Sequence, residues 1–219
     1  MNIAIFTNNY IPFSGGVPTS IRTFKKAAEQ KGHKVLIFCP SYPGYKDREK
    51  NIFRIPSLEI PTYNNYRIPL PFLGKIENKI KNIDIIHVHH PYLLGKKGLK
   101  IAKKKNIPII FTHHTLYEKY LHYIPLAGRI IQNWTKKMIK KFCTRCDLII
   151  APSEYVEKLL EKRDIKTKIK IIPTGINLDK YKKTQRNIRN KYHLSKNAEI
   201  LLYAGRITEE KNLFFLLKA

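Results

Sequence analysis

The sequence predicts an α/β protein with a mostly parallel sheet that is covered by helices on both faces. Short apolar runs rich in β-branched residues recur along the 219 residues, and several are separated by helical patterns long enough for a crossover connection. Polar and glycine-rich clusters follow several of these runs directly. With 43% hydrophobic residues, the chain has enough apolar surface for a substantial core.

Seven apolar runs are the predicted strands. They are mostly continuous rather than alternating, which is typical of strands buried on both faces of a parallel sheet. The runs are Ile3–Phe6, Val35–Phe38, Ile52–Ile55, Ile83–Val88, Ile109–Thr112, Leu148–Ala151 and Ile169–Ile172. This order of elements predicts a Rossmann-like domain.

The first crossover begins at a glycine turn. Gly15 and Gly16 precede Val17-Pro18, and apolar residues then recur at helical spacing up to Ala28. Such a turn lets backbone N–H groups approach a phosphate or a sugar, although the glycines can also serve the geometry of the turn alone. The turn is not a G-x-G-x-x-G motif, so it does not favour a nicotinamide cofactor.

Histidines follow two of the predicted strands. His87, His89 and His90 end one apolar run, and His113 and His114 follow the next, about 25 residues later. Ligands of parallel sheets gather beyond the carboxyl ends of the strands, so this repetition indicates a site. His87 and His89 are two residues apart and should share one face of their strand, where they could line a cleft or pack.

A basic amphipathic helix is predicted over 126–142. Leu126, Ile130, Trp134, Met138 and Phe142 recur every four residues, while the basic residues lie off this stripe. The helix can pack on the core with a solvated charged face, or it can contact an anionic membrane surface. In the second interpretation, the membrane-contact residues are Arg129, Trp134, Lys136, Lys137 and Lys140.

The formal net charge of +26 suits a polyanionic partner, although a compositional bias toward lysine would produce much of it. No apolar run approaches the roughly 18 residues that span a bilayer, so we expect a cytoplasmic protein. The three cysteines predict neither a disulfide framework nor a zinc site, and the pair Cys143 and Cys146 is expected to pack at a helix end. Residues 40–71 predict a long surface excursion suited to binding.

The predicted domain organisation has three parts. Residues 1–175 form the Rossmann-like domain, residues 176–198 a linker, and residues 199–219 the start of a second domain. That second part contains a predicted strand at 200–204 and an apolar helix from Leu213 onward. One strand and one short helix cannot bury their own faces, so we expect this second domain to be truncated.

The order of these motifs resembles the retaining glycosyltransferases of family 4, which have the two-domain GT-B fold. The resemblance covers the whole chain. It rests on the turn at Gly15-Gly16-Val17, the strand ends at 87–91 and 112–115, the segments 151–154 and 173–176, and Gly205-Arg206 with Lys211-Asn212. Residues 115–124 and 143–146 look most like the diacylglycerol glucosyltransferases, and the chain resembles an N-terminal fragment of such an enzyme.

The resemblance implies that a hexose is transferred, with retention, from a nucleotide-diphosphate sugar to an acceptor hydroxyl. UDP-glucose is the expected donor, a lipid such as diacylglycerol the expected acceptor, and neither a metal nor a cofactor is expected. Peripheral attachment to an anionic membrane is expected as well. The implied catalytic residue is His114, the implied donor-binding residues are Gly15, Gly16, Arg206 and Lys211, and the implied acceptor or cleft residues are His89, His113 and Tyr117.

Two alternatives remain open at the level of sequence. The acceptor could be a soluble sugar or a polysaccharide, or the chain could be a basic nucleic-acid-binding module, although no nucleic-acid motif is found. The acidic E-x7-E element that family members carry later in the second domain is absent from these 219 residues. We therefore expect the chain alone to be inactive.

Overall fold

A seven-stranded parallel sheet organises the protein in the computed structural model. The described residues contain nine strands, of which β4 and β5 form a separate pair. They are β1 (Asn2–Phe6), β2 (Lys34–Pro40), β3 (Ile52–Ile55), β4 (Ser57–Glu59), β5 (Arg67–Pro69), β6 (Ile85–Val88), β7 (Ile109–Thr112), β8 (Leu148–Ala151) and β9 (Ile169–Ile171). The order in the main sheet is β3-β2-β1-β6-β7-β8-β9, with every neighbouring pair parallel. The seven predicted strands are thereby confirmed, with ends that differ by at most two residues.

The structure describes residues 1–60, 66–73, 76–117, 129–176, 178, 188–205, 207–208 and 211–218. These residues separate into two compact units, Met1–Asn177 and Leu178–Ala219. The helices of the first unit are α1 (Gly16–Gln30), α2 (Leu94–Lys105), α3 (Arg129–Cys143) and α4 (Glu154–Glu161), and those of the second are α5 (Ile188–Lys191) and α6 (Leu213–Lys218). No helix in the described ranges is long and apolar enough to cross a membrane.

Each face of the sheet has its own apolar core. On one face, Ile3 and Ile5 pack with Ile21 of α1 in a cluster that also contains Val35 and Ile37. On the other face, a larger cluster joins alternate strand residues to α2, α3 and α4, and it includes Phe6, Val88, Phe111 and Phe142. Full burial of each large apolar side chain contributes about 1.5–3 kcal/mol, so the sheet is held from both sides as the sequence predicts.

The excursion over 40–71 contains more regular structure than the sequence predicts. β4 and β5 pair as a short antiparallel hairpin beside the main sheet. Arg67 supports this hairpin, since its guanidinium bonds the carboxylate of Glu59 at 2.8 Å and the carbonyl oxygen of Ser57 at 2.9 Å. Residues 61–65, which include the beginning of the proline- and tyrosine-rich stretch at 63–71, lie outside the described residues.

The strand predicted at 200–204 is wrong. Residues 200–205 have no regular secondary structure, and Leu201 and Leu202 are exposed. A strand must exchange backbone hydrogen bonds with a neighbour, and the described part of the second unit contains no other strand. Residues 200–204 therefore have the apolar pattern of a strand but no neighbouring strand with which to pair.

The free cysteines pack as predicted. Cys143 ends α3, Cys146 lies just beyond it, and both are buried with Cys39 elsewhere in the sheet. Burial raises the pKa of the Cys39 and Cys143 thiols to about 12. Both thiols therefore remain protonated and unreactive near neutral pH.

Two glycines of α2, Gly95 and Gly98, lie where a larger residue would collide with its surroundings. A Cβ atom at Gly95 would overlap the carbonyl oxygen of His90, and one at Gly98 would come within 3.0 Å of the side chains of Phe6 and Val88. Both glycines are buried. The close approach fixes where α2 begins relative to the end of β6.

We expect Gly95→Ala to destabilise the first unit by at least about 3 kcal/mol, because the added methyl group meets backbone that cannot move aside cheaply. Urea unfolding followed by circular dichroism measures this loss. Gly16→Ala is the matched control, since no atom lies within 4 Å of a Cβ built there. Equal stability of the two variants would contradict the packing described for α2.

Candidate functional site

The candidate site lies where the strand order reverses. The chain runs from β1 through β2 to β3 on one side, and from β6 to β9 on the other side of β1. The strand order therefore reverses between β1 and β6. The crevice beyond the carboxyl ends of such a pair is the usual ligand site of an open α/β sheet. The residues that follow β1 and β6 are Thr7, Asn8, His89 and His90, and the His89 N–H donates to the carbonyl oxygen of Phe6 at 3.0 Å.

Asn8 ties the loops around this crevice together. Its backbone N–H donates to Nδ1 of His90 at 3.1 Å, and its side-chain oxygen accepts the N–H of Leu94 at 3.1 Å. The side-chain amide also donates to the carbonyl oxygen of Tyr92 at 3.2 Å. Asn8 therefore satisfies one of the first N–H groups of α2 from a distant part of the sequence.

Two side-chain pairs connect β6 and β7 on the sheet face that α1 covers. His87 Nε2 lies 2.7 Å from Thr112 Oγ1, and His89 Nδ1 lies 2.7 Å from His114 Nε2. The rings of His87 and His89 are 4.2 Å apart, which confirms that they share one face. Phe24 of α1 presents an edge contact to the His87 ring at 5.7 Å.

Burial keeps these imidazoles neutral. It lowers the pKa of His87 and of His90 to about 3, and the nearby His114 lowers both further in the same direction. Burial and the neighbouring His113 lower the pKa of His114 to about 4. The pKa of His89 is also lowered well below its usual value, chiefly by burial and next by His87.

Neutrality together with the hydrogen bonds assigns the tautomers of the His89–His114 pair. His89 Nε2 is buried and has no hydrogen-bond partner within the described ranges. A buried lone pair without a partner costs less than a buried N–H without one, so His89 carries its proton on Nδ1. His114 then accepts at Nε2, and its own proton is on Nδ1. Because His114 is only half-buried, this N–H is the polar group that the pair can offer to a ligand.

His113 and Tyr117 lie apart from this pair. His113 is fully buried on the opposite face of β7, with ring contacts to Phe111 at 5.7 Å and to Tyr117 at 5.8 Å. Tyr117 also contacts the ring of Tyr92 at 5.0 Å. The structure thus brings His89 and His114 together, and it separates His113 from them.

The glycine turn precedes α1 on the connection that leaves the carboxyl end of β1. Gly15 is the residue before the first turn of α1, and no side chain caps this helix end. The carbonyl oxygen of Gly15 accepts bonds from the backbone and the hydroxyl of Thr19. The first turn of α1 contains no acidic residue, which leaves its positive end available to an anion.

The remaining implied site residues fall into two groups. Arg206 lies outside the described residues, whereas Lys211 is exposed in the second unit. Among the membrane-contact residues, Trp134, Lys136 and Lys137 are exposed on α3, but Lys140 bonds Asp164 at 3.0 Å. Arg129 begins α3, and its side chain is not among those described.

No group of three or more potential metal ligands occurs in the described part of the chain. The histidines bond one another, a hydroxyl and a backbone N–H instead. This arrangement is a polar network at two adjacent strand ends, with the half-buried His114 as its most accessible imidazole. It can orient a hydroxylated ligand.

Comparison with known proteins identifies the family. The sequence model described as Glycosyltransferase Family 4 matches residues 14–180, which is more than half of the chain. The chain belongs to this family. The matched region contains the glycine turn, both histidine strand ends and α3, whereas Thr7 and Asn8 of the candidate site precede it.

Relatives of this family 4 chain are similar over its whole length. It is 35% identical to an alpha-monoglucosyldiacylglycerol synthase of Streptococcus pneumoniae and 29% identical to one of Acholeplasma laidlawii. In both cases 100% of this chain is covered, but only 52% and 59% of the relative. The chain spans little more than half the length of these relatives.

A solved structure supports the fold. Sucrose-phosphate synthase of Thermosynechococcus elongatus superposes with a TM-score of 0.72 at 19% identity, covering 99% of this chain and 58% of that one. The predicted Rossmann-like, GT-B type of architecture is confirmed by this likeness and by the strand order.

Sequence reasoning missed Asn8 and Thr112 as parts of the site. Asn8 follows β1 within Thr7-Asn8-Asn9, a polar run directly after a buried strand, and that position is the signal that could have indicated it. Thr112 ends the predicted strand 109–112, but its bond to His87 depends on the register between β6 and β7. Only the folded sheet shows this register.

Mild acid should destabilise the first unit. His87, His90 and His114 have pKa values of about 3 to 4 in the folded chain, against about 6.5 when unfolded, so the unfolded state binds protons first. Their contribution is fully present above about pH 6.5 and falls as the pH drops toward 4, by up to about 1.4 kcal/mol per pH unit for each histidine.

Urea unfolding at pH values from 7.5 to 4.5 measures this dependence. His90→Asn keeps an acceptor for the Asn8 N–H but cannot take up a proton, so its stability should fall less steeply with acid. His193→Asn, in the second unit, is the control and should leave the slope unchanged. A His90→Asn slope equal to that of the unchanged chain would refute the buried neutral imidazole.

Proposed function

We propose that this chain is the acceptor-side part of a retaining glycosyltransferase that moves glucose from UDP-glucose to a lipid acceptor such as diacylglycerol. The observation that carries the proposal is the neutral His89–His114 pair at the strand-order reversal of a family 4 chain. The names of the two monoglucosyldiacylglycerol synthase relatives support the sugar and the lipid.

The proposed reaction requires stabilisation of the negative charge on the leaving group. As the bond between sugar and diphosphate breaks, charge grows on the departing diphosphate, and fixed cations and N–H donors lower the barrier by stabilising it. We propose Arg206 and Lys211 as the cations for this task. On the first unit, the uncapped N-terminus of α1 at Gly15 and Gly16 offers N–H groups to an anion. No metal ion or cofactor is invoked.

His114 has a different role in this proposal. Its neutral ring donates the Nδ1 proton as a hydrogen bond to a hydroxyl of the transferred sugar, near the reacting carbon. His89 fixes the tautomer, because its Nδ1 proton is already given to His114 Nε2. A protonated ring would add a positive charge beside the developing cationic sugar, so the lowered pKa of His114 favours the reaction.

The lipid acceptor requires attachment to a membrane surface. The net charge of +26 and the exposed Trp134, Lys136 and Lys137 of α3 support peripheral association with anionic lipid. We place the enzyme at the cytoplasmic side, where nucleotide sugars are made. Donor sugar, acceptor and location are parts of one proposal and are tested together.

The test is transfer of radiolabelled glucose from UDP-glucose to diacylglycerol in mixed micelles, measured with the longest reading frame that contains these residues. His114→Ala should lower kcat by about 10²-fold, as expected for loss of one preorganised donor. His33→Ala, which changes a histidine of the α1–β2 connection, should retain activity. The 219 residues alone should give no turnover.

Two results would contradict the proposal. Label that appears only in a soluble sugar or polysaccharide acceptor would exclude the lipid and keep the transferase. Full activity of His114→Ala would exclude the proposed hydrogen bond. Anomeric analysis of the product by NMR checks retention separately.

A further inference from the structure

A pocket with two tyrosines in its wall lies beside the β4–β5 hairpin of the first unit. Its volume is about 410 Å³, within the range of small-molecule sites. The described residues that line it come from the loop after β1, the loop after β2 and the hairpin, and they include Pro12, Tyr42, Tyr45, Glu59 and Arg67. No step of the proposed transfer uses this pocket.

A tight turn presents the two tyrosines side by side. In Tyr42-Pro43-Gly44-Tyr45, proline is second and a glycine with a φ of 73° is third, which is the arrangement of a type II turn. The Tyr45 N–H closes the turn by donating to the carbonyl oxygen of Tyr42 at 3.1 Å. Both tyrosines are half-buried, so each retains surface that an occupant can cover.

Arg54 of β3 holds this wall in place. Its guanidinium lies 5.8 Å from the ring centre of Tyr42 and 5.2 Å from that of Tyr45, within the range of cation–π contact. It also donates to both carboxylate oxygens of Asp47 and to the carbonyl oxygen of Pro40. The two rings are therefore positioned before any ligand binds, which lowers the entropic cost of binding.

The pocket is electrically balanced, although the chain carries a net charge of +26. The charged side chains in its described lining are Arg67 and Glu59, which face each other in the hairpin register and pair at 2.8 Å. Arg54, which contacts the wall, is paired with Asp47 at 2.6 Å. An anionic ligand would meet no unpaired cation in the described lining, so the pocket favours a neutral one.

Aromatic rings beside an ion pair suit a neutral sugar ring. The electron-rich faces of tyrosine rings attract the C–H groups of a pyranose, while its hydroxyls can donate to a carboxylate. The Glu59 side chain is 57% exposed, so its oxygens retain acceptor capacity beyond the bond to Arg67. The Tyr42 hydroxyl is a further polar group at this wall, and it is buried without a hydrogen-bond partner among the described residues.

This pocket is separate from the histidine edge. It includes the loop after β2, and β1 and β6 lie between β2 and β7 in the sheet. Because neighbouring strands are ~4.8 Å apart, the ends of β2 and β7 are about 14 Å apart. A sugar ring in the pocket is therefore a different ring from the one that His114 contacts in the proposed function.

We propose that this pocket binds the pyranose ring of a neutral sugar that is not itself transferred. The sugar is either a free saccharide or the head group of a glycosylated lipid, since both present the same ring. The inference goes beyond the proposed function, because binding in the pocket requires no transfer.

Saturation-transfer NMR with methyl α-glucoside tests the pocket in the longest reading frame that contains these residues. Tyr45→Ala should lower the affinity at least about fivefold, because a packed aromatic ring is lost. Tyr155→Ala, which removes an exposed tyrosine of α4, is the matched control and should retain the affinity, and so should His114→Ala. An unchanged affinity in Tyr45→Ala, or a loss in His114→Ala alone, would overturn the proposal.

Charge selectivity distinguishes recognition from a structural effect. Glu59→Gln leaves Arg67 without its carboxylate, while the bonds of Arg67 to Ser57 remain. The affinity for glucose 6-phosphate relative to methyl α-glucoside should then rise at least about tenfold, because the freed guanidinium can bind phosphate. Glu154→Gln removes the same charge from an exposed ion pair of α4 and should leave this ratio unchanged. An equal ratio in the two variants would refute contact between the sugar and the Glu59–Arg67 pair.

Octyl glucoside below its micelle-forming concentration distinguishes the two sources of the sugar. Tighter binding than methyl α-glucoside, lost in Tyr45→Ala, identifies a lipid-linked sugar, whereas equal binding identifies a free saccharide, and both results support the pocket. Glucose transfer to diacylglycerol without sugar binding that depends on Tyr45 would refute the pocket alone. Binding that depends on Tyr45 without any transfer would refute the proposed function alone.

Discussion

The site depends on keeping a group of histidines neutral inside the protein. Burial of a charged imidazolium beside other imidazoles costs free energy. Each ring is therefore neutral and needs a hydrogen bond with a neutral partner. The structure does this by pairing His89 with His114 and His87 with Thr112 across two adjacent strands. The direction of each bond then decides which nitrogen of each ring carries the proton, so the same hydrogen bonds set both the electrostatics and the geometry of the site.

The network around Asn8 extends this constraint to the backbone. Because Asn8 receives the N–H of Leu94 and donates to Nδ1 of His90, the loop after β1, the loop after β6 and the start of α2 are held as one piece. Loss of any one bond would leave a buried polar group without a partner, which costs more than the bond itself contributes. The crevice is therefore a preorganised feature of the sheet edge.

The strands could be predicted from the sequence because their signal is local. A run such as Ile109–Thr112 is apolar over its whole length, and its burial on both faces follows from that alone. The histidine strand ends were predicted for the same reason. The pairing of His89 with His114 was not, because it depends on strands that meet through register rather than through proximity in sequence.

The same distinction applies to charge. Helical spacing identified the basic character of α3, but it could not show that Lys140 is matched by Asp164, which lies 24 residues away. Nor could it show that Lys96 and Lys100 of α2 line one groove together with Lys137 of α3. The tertiary fold determines which cations have an acidic partner, so the spacing of residues along α3 could not predict it.

The glycines of α2 give this arrangement a mechanical consequence. Gly95 and Gly98 seat the helix directly on the sheet, and the outer surface of the same helix carries Lys96 and Lys100. Because α2 packs tightly against the end of β6, the distance between its outer lysines and the crevice beyond β6 is fixed. A surface that binds these lysines therefore lies at a fixed distance from the crevice.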